Sequence, residues 1–474
     1  MRPFLSTSLS IVMLFSTPVV AQAQSIEILI QQGTAARESE NYEEGERLFR
    51  EVLELDPNYA QAYAELGFLL ERQGRTEEAE RAFREALRLA PDNASTYANL
   101  GAVLAQQGQY EEAEKVFLES FRLDPTNASA YANLGAMLVS QNRTEEAERA
   151  YLVSLHLDPN NASTYYNLGI LLGQQGRYEE AERVLLEGIR LAPNNPSTYF
   201  ALGAVLERQG QLEEAESAYR EALRLDPDNA SIYLTLGLFL KQQGRTKDAE
   251  GIYREALRVD PNNVPIYYNL GILLGQQGQL EDAERMFRGG IRLDPDDAPL
   301  RLALAILLEQ QGQYEEAERT FLDSLRLDPG NGSTYLLLGR LFEQQGRVEE
   351  VERIQREATR AASNNVLTHL ALGSTLLQQA RYEEAESVFR EASRVDPGNT
   401  LAYLGLGSIA HTQDRLDEAA TYYEKVLEIE PGNRAAQNGL EQIRIGNVTV
   451  RDPDTQEVIL EIPSDRVIFI PNPQ

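Results

Sequence analysis

The sequence contains no cysteine and no tryptophan, and only three of its 474 residues are histidines. Without cysteine the chain can form neither a disulfide nor a thiolate metal site, so packing must supply its stability. The histidines, His156, His369 and His411, lack the spacing of metal ligands or of a nucleophile and its base. No glycine-rich stretch matches a phosphate-binding loop. We therefore expect no catalytic residues, no cofactor, no metal site and no enzyme activity.

Clusters of lysine and arginine are missing as well, and acidic residues outnumber basic ones by 74 to 44. The formal net charge is −30. Such a chain repels phosphate backbones and anionic lipid heads, which argues against nucleic acid as a partner. Beyond the first 23 residues no segment is long and apolar enough to span a bilayer, so we do not expect a membrane-spanning protein.

Residues 1–23 have the pattern of a signal peptide. Arg2 supplies a short positive region, residues 9–20 are mostly apolar, and residues 21–23 (Ala-Gln-Ala) match a signal-peptidase site. The apolar run is shorter than the ~20 residues of a membrane-spanning helix, which argues against an anchor. We therefore expect the mature chain to begin at Gln24 and to be exported, to the periplasm or the extracellular space of a bacterium.

Twelve letters, YYNLGILLGQQG, stand at residues 165–176 and return unchanged at residues 267–278. The offset is 102 residues, three times 34, and weaker copies fill the chain between and beyond them. Counting from Ile26 gives twelve repeats of 34 residues, which end at Asn433. The repeats begin at residues 26, 60, 94, 128, 162, 196, 230, 264, 298, 332, 366 and 400. A fixed period of this length predicts an array of stacked repeats.

Three positions of the period are nearly constant. The eighth is glycine in eleven repeats, the twentieth is alanine in ten, and the thirty-second is proline in eleven. This pattern resembles that of the tetratricopeptide repeat. The resemblance covers about residues 26–433, and it implies an all-α fold, a right-handed superhelical α-solenoid of tandem helix-turn-helix repeats. Tyrosine replaces the family's usual tryptophan at position four and leucine its tyrosine at position eleven, and both keep a bulky apolar group.

The fifth repeat shows why each repeat should form two helices. Apolar or small residues recur at i, i+3, i+4 and i+7, on one face of a helix: Tyr165, Leu168, Gly169 and Leu172. Asn161 is a good N-cap for that helix, and Gly176 suits the left-handed residue after its end. Gly169 and Ala181 are small, which predicts that the two helices of the repeat approach closely.

The chain changes character after the last repeat. Residues 434–445 predict a helix that covers the end of the array, as tetratricopeptide arrays commonly carry. Residues 446–474 contain β-branched runs separated by turns, which predict a short β-like tail. We expect this tail to form a hairpin against the last repeats; the alternative is a strand donated to the sheet edge of a partner.

Repeats nine to eleven depart from the pattern. The substituted positions are Arg301, Ala305, Val351, Gln355, Ser363 and His369. Sequence drift explains them most simply; a hinge or a second docking patch is the alternative. Fast hydrogen exchange confined to about residues 298–370 would indicate a hinge.

The resemblance also implies where a partner binds, because the first helices of tetratricopeptide arrays line a concave groove. Transferred to this sequence, the groove residues are Asn99, Asn133, Tyr166, Asn167, Ile170, Gln174, Phe200, Leu234, Tyr268, Asn269, Ile272 and Gln276. Apolar groups with spaced amides suit an extended peptide, whose backbone the asparagines can bind. The alternative is that the apolar residues simply pack helix on helix. The basic residues that would hold a partner's terminal carboxylate are absent from these positions.

We therefore expect an exported, non-catalytic adaptor or scaffold that binds a protein or extended peptide through the concave groove. One alternative is a structural scaffold that assembles with itself, because the repeats are so uniform. Another, which rests on the asparagine positions alone, is the recognition subunit of a glycosyl-transfer system. The twelve repeats and the tail take up nearly all of the residues after the predicted signal peptide, so we do not expect a catalytic domain among them.

Overall fold

The structure is a computed structural model, and it describes residues 25–446, 449–451 and 458–461. The predicted signal peptide, residues 1–23, and most of the predicted tail lie outside the described residues. The chain divides into two compact units, Met1–Ile232 and Tyr233–Gln474. Within the described ranges, no helix combines the length and the apolar character needed to cross a membrane.

Each repeat consists of a first helix and a second helix joined by a short turn. The first helices are α1 (residues 25–38), α3 (Ala60–Arg72), α5 (Ala94–Gln106), α7 (Ala128–Ser140), α9 (Ala162–Gln174), α11 (Pro196–Gln209), α13 (Ala230–Gln242), α15 (Val264–Gln276), α17 (Ala298–Gln310), α19 (Gly332–Gln344), α21 (Val366–Gln378) and α23 (Thr400–Thr412). The second helices are α2 (Tyr42–Leu55), α4 (Thr76–Leu89), α6 (Tyr110–Leu123), α8 (Thr144–Leu157), α10 (Tyr178–Leu191), α12 (Leu212–Leu225), α14 (Thr246–Val259), α16 (Leu280–Leu293), α18 (Tyr314–Leu327), α20 (Val348–Ala361), α22 (Tyr382–Val395) and α24 (Leu416–Ile429).

The turns and caps follow from local chemistry. Asn161 caps α9 as predicted, since its side chain accepts a hydrogen bond of 3.0 Å from the amide of Thr164. Gly176, after the end of α9, has a φ of 76°, the left-handed conformation that glycine adopts without steric cost. Asn142 and Ala380 hold the same conformation at the equivalent turns, with φ of 59° and 57°. The turn therefore requires a left-handed residue in each repeat, and glycine is only the easiest choice.

A glycine of each first helix typically faces a large side chain of the second helix. A β-carbon in place of the hydrogen of Gly271 would lie 2.5 Å from Cε1 of Phe287, and one at Gly169 would lie 2.5 Å from Cγ of Leu185. The predicted close approach at Gly169 is confirmed. The same relation recurs in both compact units, at Gly67 with Phe83, Gly101 with Phe117, Gly203 with Tyr219, Gly373 with Phe389 and Gly407 with Tyr423.

The divergent residues of repeats nine to eleven are mostly buried. Val351, Gln355 and His369 are 3%, 5% and 5% exposed. A ring nitrogen of His369 lies 3.2 Å from the carbonyl oxygen of Asn365, whereas the buried Oε1 of Gln355 and Nη1 of Arg301 have no hydrogen-bond partner. The substitutions thus place polar groups in the interior of this part of the second compact unit.

The last repeat is followed by α25 (Arg434–Gly446), which packs on α24. Ala436 and Ile443 of α25 join Tyr423 and Val426 in one buried cluster. Two short strands follow, β1 (Thr449–Arg451) and β2 (Val458–Glu461). They pair antiparallel, with Thr449 opposite Glu461 and Val450 opposite Leu460.

Candidate functional site

The twelve predicted groove residues lie on six first helices. In the first compact unit they form a first-unit patch on α5, α7, α9 and α11: Asn99, Asn133, Tyr166, Asn167, Ile170, Gln174 and Phe200. In the second they form a second-unit patch on α13 and α15: Leu234, Tyr268, Asn269, Ile272 and Gln276. None of them is buried: Gln174 and Gln276 are exposed, and the other ten are half-buried. Every one of these side chains can therefore be reached from solvent.

The four asparagines differ in what they bind. The side-chain amide of Asn269 donates to the carbonyl of Pro265 at 2.9 Å, and that of Asn133 makes a long contact of 3.5 Å to the carbonyl of Ala98. The side-chain amides of Asn99 and Asn167 have no hydrogen-bond partner within residues 25–446. A half-buried amide without a partner is a group that an incoming backbone can satisfy.

Two of the aromatic groove residues at position five, Phe200 and Tyr268, contact a ring on the second helix of their own repeat. The ring of Phe200 lies 5.6 Å from that of Tyr219 at 59°, and the ring of Tyr268 lies 6.5 Å from that of Phe287 at 54°. Tilted pairs at this spacing are stabilising. Phe200 and Tyr268 thus contact the core on one side and remain partly open on the other, so neither of the two alternatives weighed for this position describes them fully.

A small groove opens beside Tyr268 in the second compact unit. It has a volume of about 240 Å³ and is lined by Val264, Pro265, Tyr268, Asn269, Asp297 and Pro299, from α15, α17 and the residue that caps α17. The lining is almost entirely apolar, which suits an aliphatic side chain of a bound segment. The structure therefore brings two predicted residues, Tyr268 and Asn269, together in one concave site.

The sequence prediction missed the two prolines of this groove. Pro265 and Pro299 both occupy the second position of a repeat, on the helical face that also carries the fifth and ninth positions. Proline is well tolerated there, because the first-turn amides of a helix have no intrahelical acceptor. A proline at the second position of two successive repeats was the sequence feature that could have pointed to this groove.

One carboxyl group on the first helices has a shifted pKa. Burial raises the pKa of Glu71 on α3 above its ordinary value, and Arg72 and a hydrogen bond from Gln106 only partly oppose this. The amide of Gln106, on α5, lies 3.3 Å from Oε1 of Glu71. This carboxyl therefore binds a proton more readily than an ordinary exposed glutamate.

Two buried tyrosines of the second helices have a raised pKa. Burial raises the pKa of Tyr151 to about 12, and burial together with a hydrogen bond to Glu207 raises the pKa of Tyr219. The phenol of Tyr219 donates to Glu207 at 2.8 Å. These phenols remain neutral at physiological pH and act in packing.

The three histidines lie on three different helices. His156 is exposed on α8, His369 is buried on α21, and the half-buried His411 on α23 lies edge-on to Tyr423. Within the ranges that the structure describes, no group of three or more histidine, aspartate or glutamate side chains is arranged to hold a metal ion.

Two models of known protein families match most of the chain. The family model described as cilia and flagella-associated protein 70 C-terminal domain matches residues 16–224 and 208–334, and a tetratricopeptide repeat model matches residues 370–434. The chain belongs to the tetratricopeptide repeat family. The prediction of an all-α solenoid of tetratricopeptide repeats is thereby confirmed. Proteins of this family generally act as adaptors or scaffolds in protein interactions.

Solved tetratricopeptide structures resemble the chain at low identity. Yeast Tom70 is 17% identical, with 90% of this chain and 96% of that chain covered and a TM-score of 0.40. PilF of Pseudomonas aeruginosa is 25% identical, with coverage of 44% and 94% and a TM-score of 0.39. YrrB, described as a TPR protein with an unusual peptide-binding site, is 21% identical, with coverage of 40% and 97% and a TM-score of 0.32. None of the curated proteins matches the chain.

Proposed function

We propose that the chain is an exported, non-catalytic adaptor that binds an extended segment of another protein through its first helices. The groove beside Tyr268 supports this function most directly, because it offers about 240 Å³ of largely apolar lining next to a half-buried aromatic ring. In the first-unit patch, the unpaired amides of Asn99 and Asn167 offer hydrogen bonds to a peptide backbone. Apolar anchors combined with spaced amides are the chemistry of peptide recognition.

The binding role is tested by selecting peptides from a display library against the wild-type chain and titrating them against variants. Tyr166→Ala combined with Tyr268→Ala is expected to weaken binding at least about tenfold, as the loss of interface anchors does. Asn99→Ala combined with Asn167→Ala tests the amides alone. Tyr314→Ala is the control, because Tyr314 is 40% exposed at the start of a second helix, α18. Equal affinity for all of these variants would exclude both patches as the binding site.

Circular dichroism must accompany this titration, because Tyr268 also packs on Phe287. Loss of helical signal at the assay temperature would mean that Tyr268 is a core residue and not an anchor. Tyr166 is half-buried and makes no ring contact within residues 25–446, so its single replacement is measured in the same way. Weaker binding with an unchanged helical signal would assign Tyr166 to the binding site.

Export is proposed from the N-terminal sequence and needs its own measurement. The protein recovered from a bacterial host is expected in the periplasm or medium with Gln24 as its first residue. N-terminal sequencing reads this directly. Recovery of the chain inside the cell with Met1 or Arg2 still present would rule the proposal out, while leaving the binding role open.

A further inference from the structure

Neighbouring second helices are joined by an arginine that bridges two carboxylates. In the turn before α10, Arg177 donates through Nη1 to Glu148 of the preceding repeat at 2.7 Å and through Nη2 to Glu180 of its own repeat at 2.8 Å. This arginine stands at position sixteen of its repeat, and the two glutamates stand at positions twenty-one and nineteen. Arg143, one repeat earlier, makes the same two contacts with Glu114 and Glu146.

A second arginine position serves the same pair of carboxylates. Where glutamine stands at position sixteen, as at Gln109, the preceding repeat has an arginine at position twenty-five that contacts these two carboxylate positions instead. Arg84 contacts Glu80 at 2.9 Å and Glu112 at 2.8 Å. In the second compact unit, Arg288 contacts Glu284 at 2.8 Å and Glu316 at 2.7 Å. The two positions are therefore alternative sources of one cation.

The junction between repeats five and six has neither arginine. Position twenty-five holds Leu186 and position sixteen holds Gln211, whereas every other junction in the array has arginine at one or both positions. The carboxylates nevertheless remain. Glu182 accepts only a hydrogen bond of 3.1 Å from the amide of Gln209, and Glu214 has no hydrogen bond or ion pair within residues 25–446.

The nearby arginines do not compensate for this loss. Arg220 and Arg224 lie in the lining of a groove at this junction. However, Arg220 pairs with Glu216 at 2.8 Å and Arg224 pairs with Glu221 at 2.7 Å. The side chain of Gln211 donates to its neighbour Gln209 and not to a carboxylate. Two negative charges at this junction thus lack the cation that the rest of the array supplies.

The same junction holds an open groove with an apolar wall. The groove has a volume of about 660 Å³, and its lining includes Glu182, Leu186, Tyr199, Leu202, Leu206 and Glu214. Leu186 is also one of three exposed leucines at the same position of three successive second helices, α6, α8 and α10. Leu118, Leu152 and Leu186, all at position twenty-five, are 65%, 50% and 47% exposed. Large aliphatic side chains aligned in this way mark an interaction surface.

We propose that this second-helix surface, formed by Leu118, Leu152, Leu186 and the groove with Glu182 and Glu214, binds a basic amphipathic segment of another protein. One arginine or lysine of that segment occupies the place between Glu182 and Glu214 that the array's own arginine occupies at the other junctions. Arginine fits best, because its planar fork can donate to two carboxylates at once, as Arg177 does. The apolar side chains of the segment cover the exposed leucines.

This surface shares no residue with the first-unit and second-unit patches, although Tyr199, Leu202 and Leu206 of α11 line its groove. The proposal does not depend on the function proposed for those patches. Phosphate groups and anionic lipid heads are poor candidates for the occupant, because both would meet uncompensated carboxylates on a chain of net charge −30. A cationic side chain on an apolar segment can pair with Glu182 and Glu214 while the rest of the segment covers the exposed leucines.

The test measures binding of fluorescent synthetic peptides to the full chain. The panel consists of amphipathic helical peptides with leucines on one face and a single arginine at varied distance from them. Matched peptides carry glutamate in place of the arginine, or serine in place of the leucines. We expect at least one leucine–arginine peptide to bind, its affinity to fall as salt is added, and both matched peptides to bind at least about tenfold more weakly.

Two variants supply the missing cation from within the chain. Gln211→Arg and Leu186→Arg each restore an arginine at the junction, so each is expected to fold normally and to weaken peptide binding at least about tenfold. Gln279→Arg and Leu322→Arg are the matched controls. They make the same replacements at positions sixteen and twenty-five of junctions that already contain Arg254 and Arg347, and should leave binding unchanged.

Several outcomes would overturn the proposal. They are binding that Gln211→Arg leaves intact, equal binding of the glutamate peptide, or no binding by any peptide of the panel. The remaining candidate occupant is a second copy of this chain, and sedimentation of the chain alone tests it. Self-association that Gln211→Arg abolishes would assign the surface to that second copy. The Tyr166→Ala and Tyr268→Ala variant should bind the peptide as the wild type does, and its failure to do so would place the peptide on the first helices instead.

Discussion

Replacing Gly271 by alanine is expected to lower the free energy of unfolding by about 1–3 kcal/mol, the usual range for an overpacked core. The added methyl group would lie 2.5 Å from Cε1 of Phe287, and Phe287 is only 2% exposed. The ring has little room to move, because it is buried and Tyr268, on the same helix as Gly271, lies beside it with ring centroids 6.5 Å apart. Relief of the clash must therefore move one helix of the repeat away from the other.

Gly339→Ala is the matched control, and it is expected to have the opposite sign. Around Gly339 the nearest atom to an added β-carbon would be Cγ2 of Ile354 at 3.6 Å, which is an ordinary contact. Alanine in the middle of α19 should then raise the free energy of unfolding by about 0.5–1 kcal/mol, since it restricts the unfolded chain more than glycine does. Urea denaturation followed by circular dichroism compares the two variants directly.

Hydrogen exchange adds the location of the effect, because the stability of a repeat array is largely local. In Gly271→Ala, amides of α15 and α16 should exchange faster, while those of α3 and α4 should not change. The groove beside Tyr268 should be disturbed as well, since Tyr268 rests on the displaced ring. If Gly271→Ala and Gly339→Ala shift stability in the same direction by similar amounts, the ring contact does not determine the spacing of the helix pair.

The sequence predicted the helix pairs well because a physical requirement recurs in every repeat. A glycine or alanine at the eighth position, and the left-handed residue in the turn, are needed wherever two helices must approach closely. For this reason Gly169 and Gly176 could be interpreted without coordinates. The resemblance to tetratricopeptide repeats predicted the twelve groove residues, and all twelve are at least partly accessible to solvent, but their role in binding stays a prediction.

The sequence could not show how individual polar side chains are used. Asn167 and Asn269 occupy the same position in identical twelve-residue segments, yet the amide of Asn269 binds the carbonyl of Pro265 and that of Asn167 is unpaired within residues 25–446. The hydrogen-bond partner of such an asparagine depends on its side-chain rotamer and on residues outside the twelve-residue segment. Likewise, the fold is needed to see that positions twenty-five and sixteen supply the same two carboxylates with a cation. Only then does it become clear that Leu186 and Gln211 together leave one junction without an arginine.

Replacing Gln355 by phenylalanine is expected to raise the free energy of unfolding by about 2–3 kcal/mol. Gln355 stands where a ring lies over the glycine in most other repeats, as Phe287 does over Gly271. It is 5% exposed, and its buried Oε1 has no hydrogen-bond partner. Phenylalanine would remove an unsatisfied acceptor and bury apolar area, and the space beside Gly339 indicates that a ring can be accommodated.

Gln355→Leu is the control for this variant. Leucine removes the same unsatisfied acceptor but fills less volume, so its gain should be smaller than that of phenylalanine. A loss of stability with phenylalanine, accompanied by a gain with leucine, would show that Val351 and Ile354 already fill the space beside Gly339. Urea denaturation measures the free energy of each variant.

The same variant separates the two interpretations of repeats nine to eleven. An unsatisfied buried amide lowers the stability of its own helix pair, so drift alone should make α19 and α20 exchange their amide hydrogens faster, whereas a hinge requires fast exchange through about residues 298–370. If Gln355→Phe slows this exchange and leaves the affinity of bound peptides unchanged, residue 355 reflects drift with a local cost in stability. If the variant also lowers that affinity, the weak packing around Gln355 is required for binding, and the glutamine acts as part of a hinge.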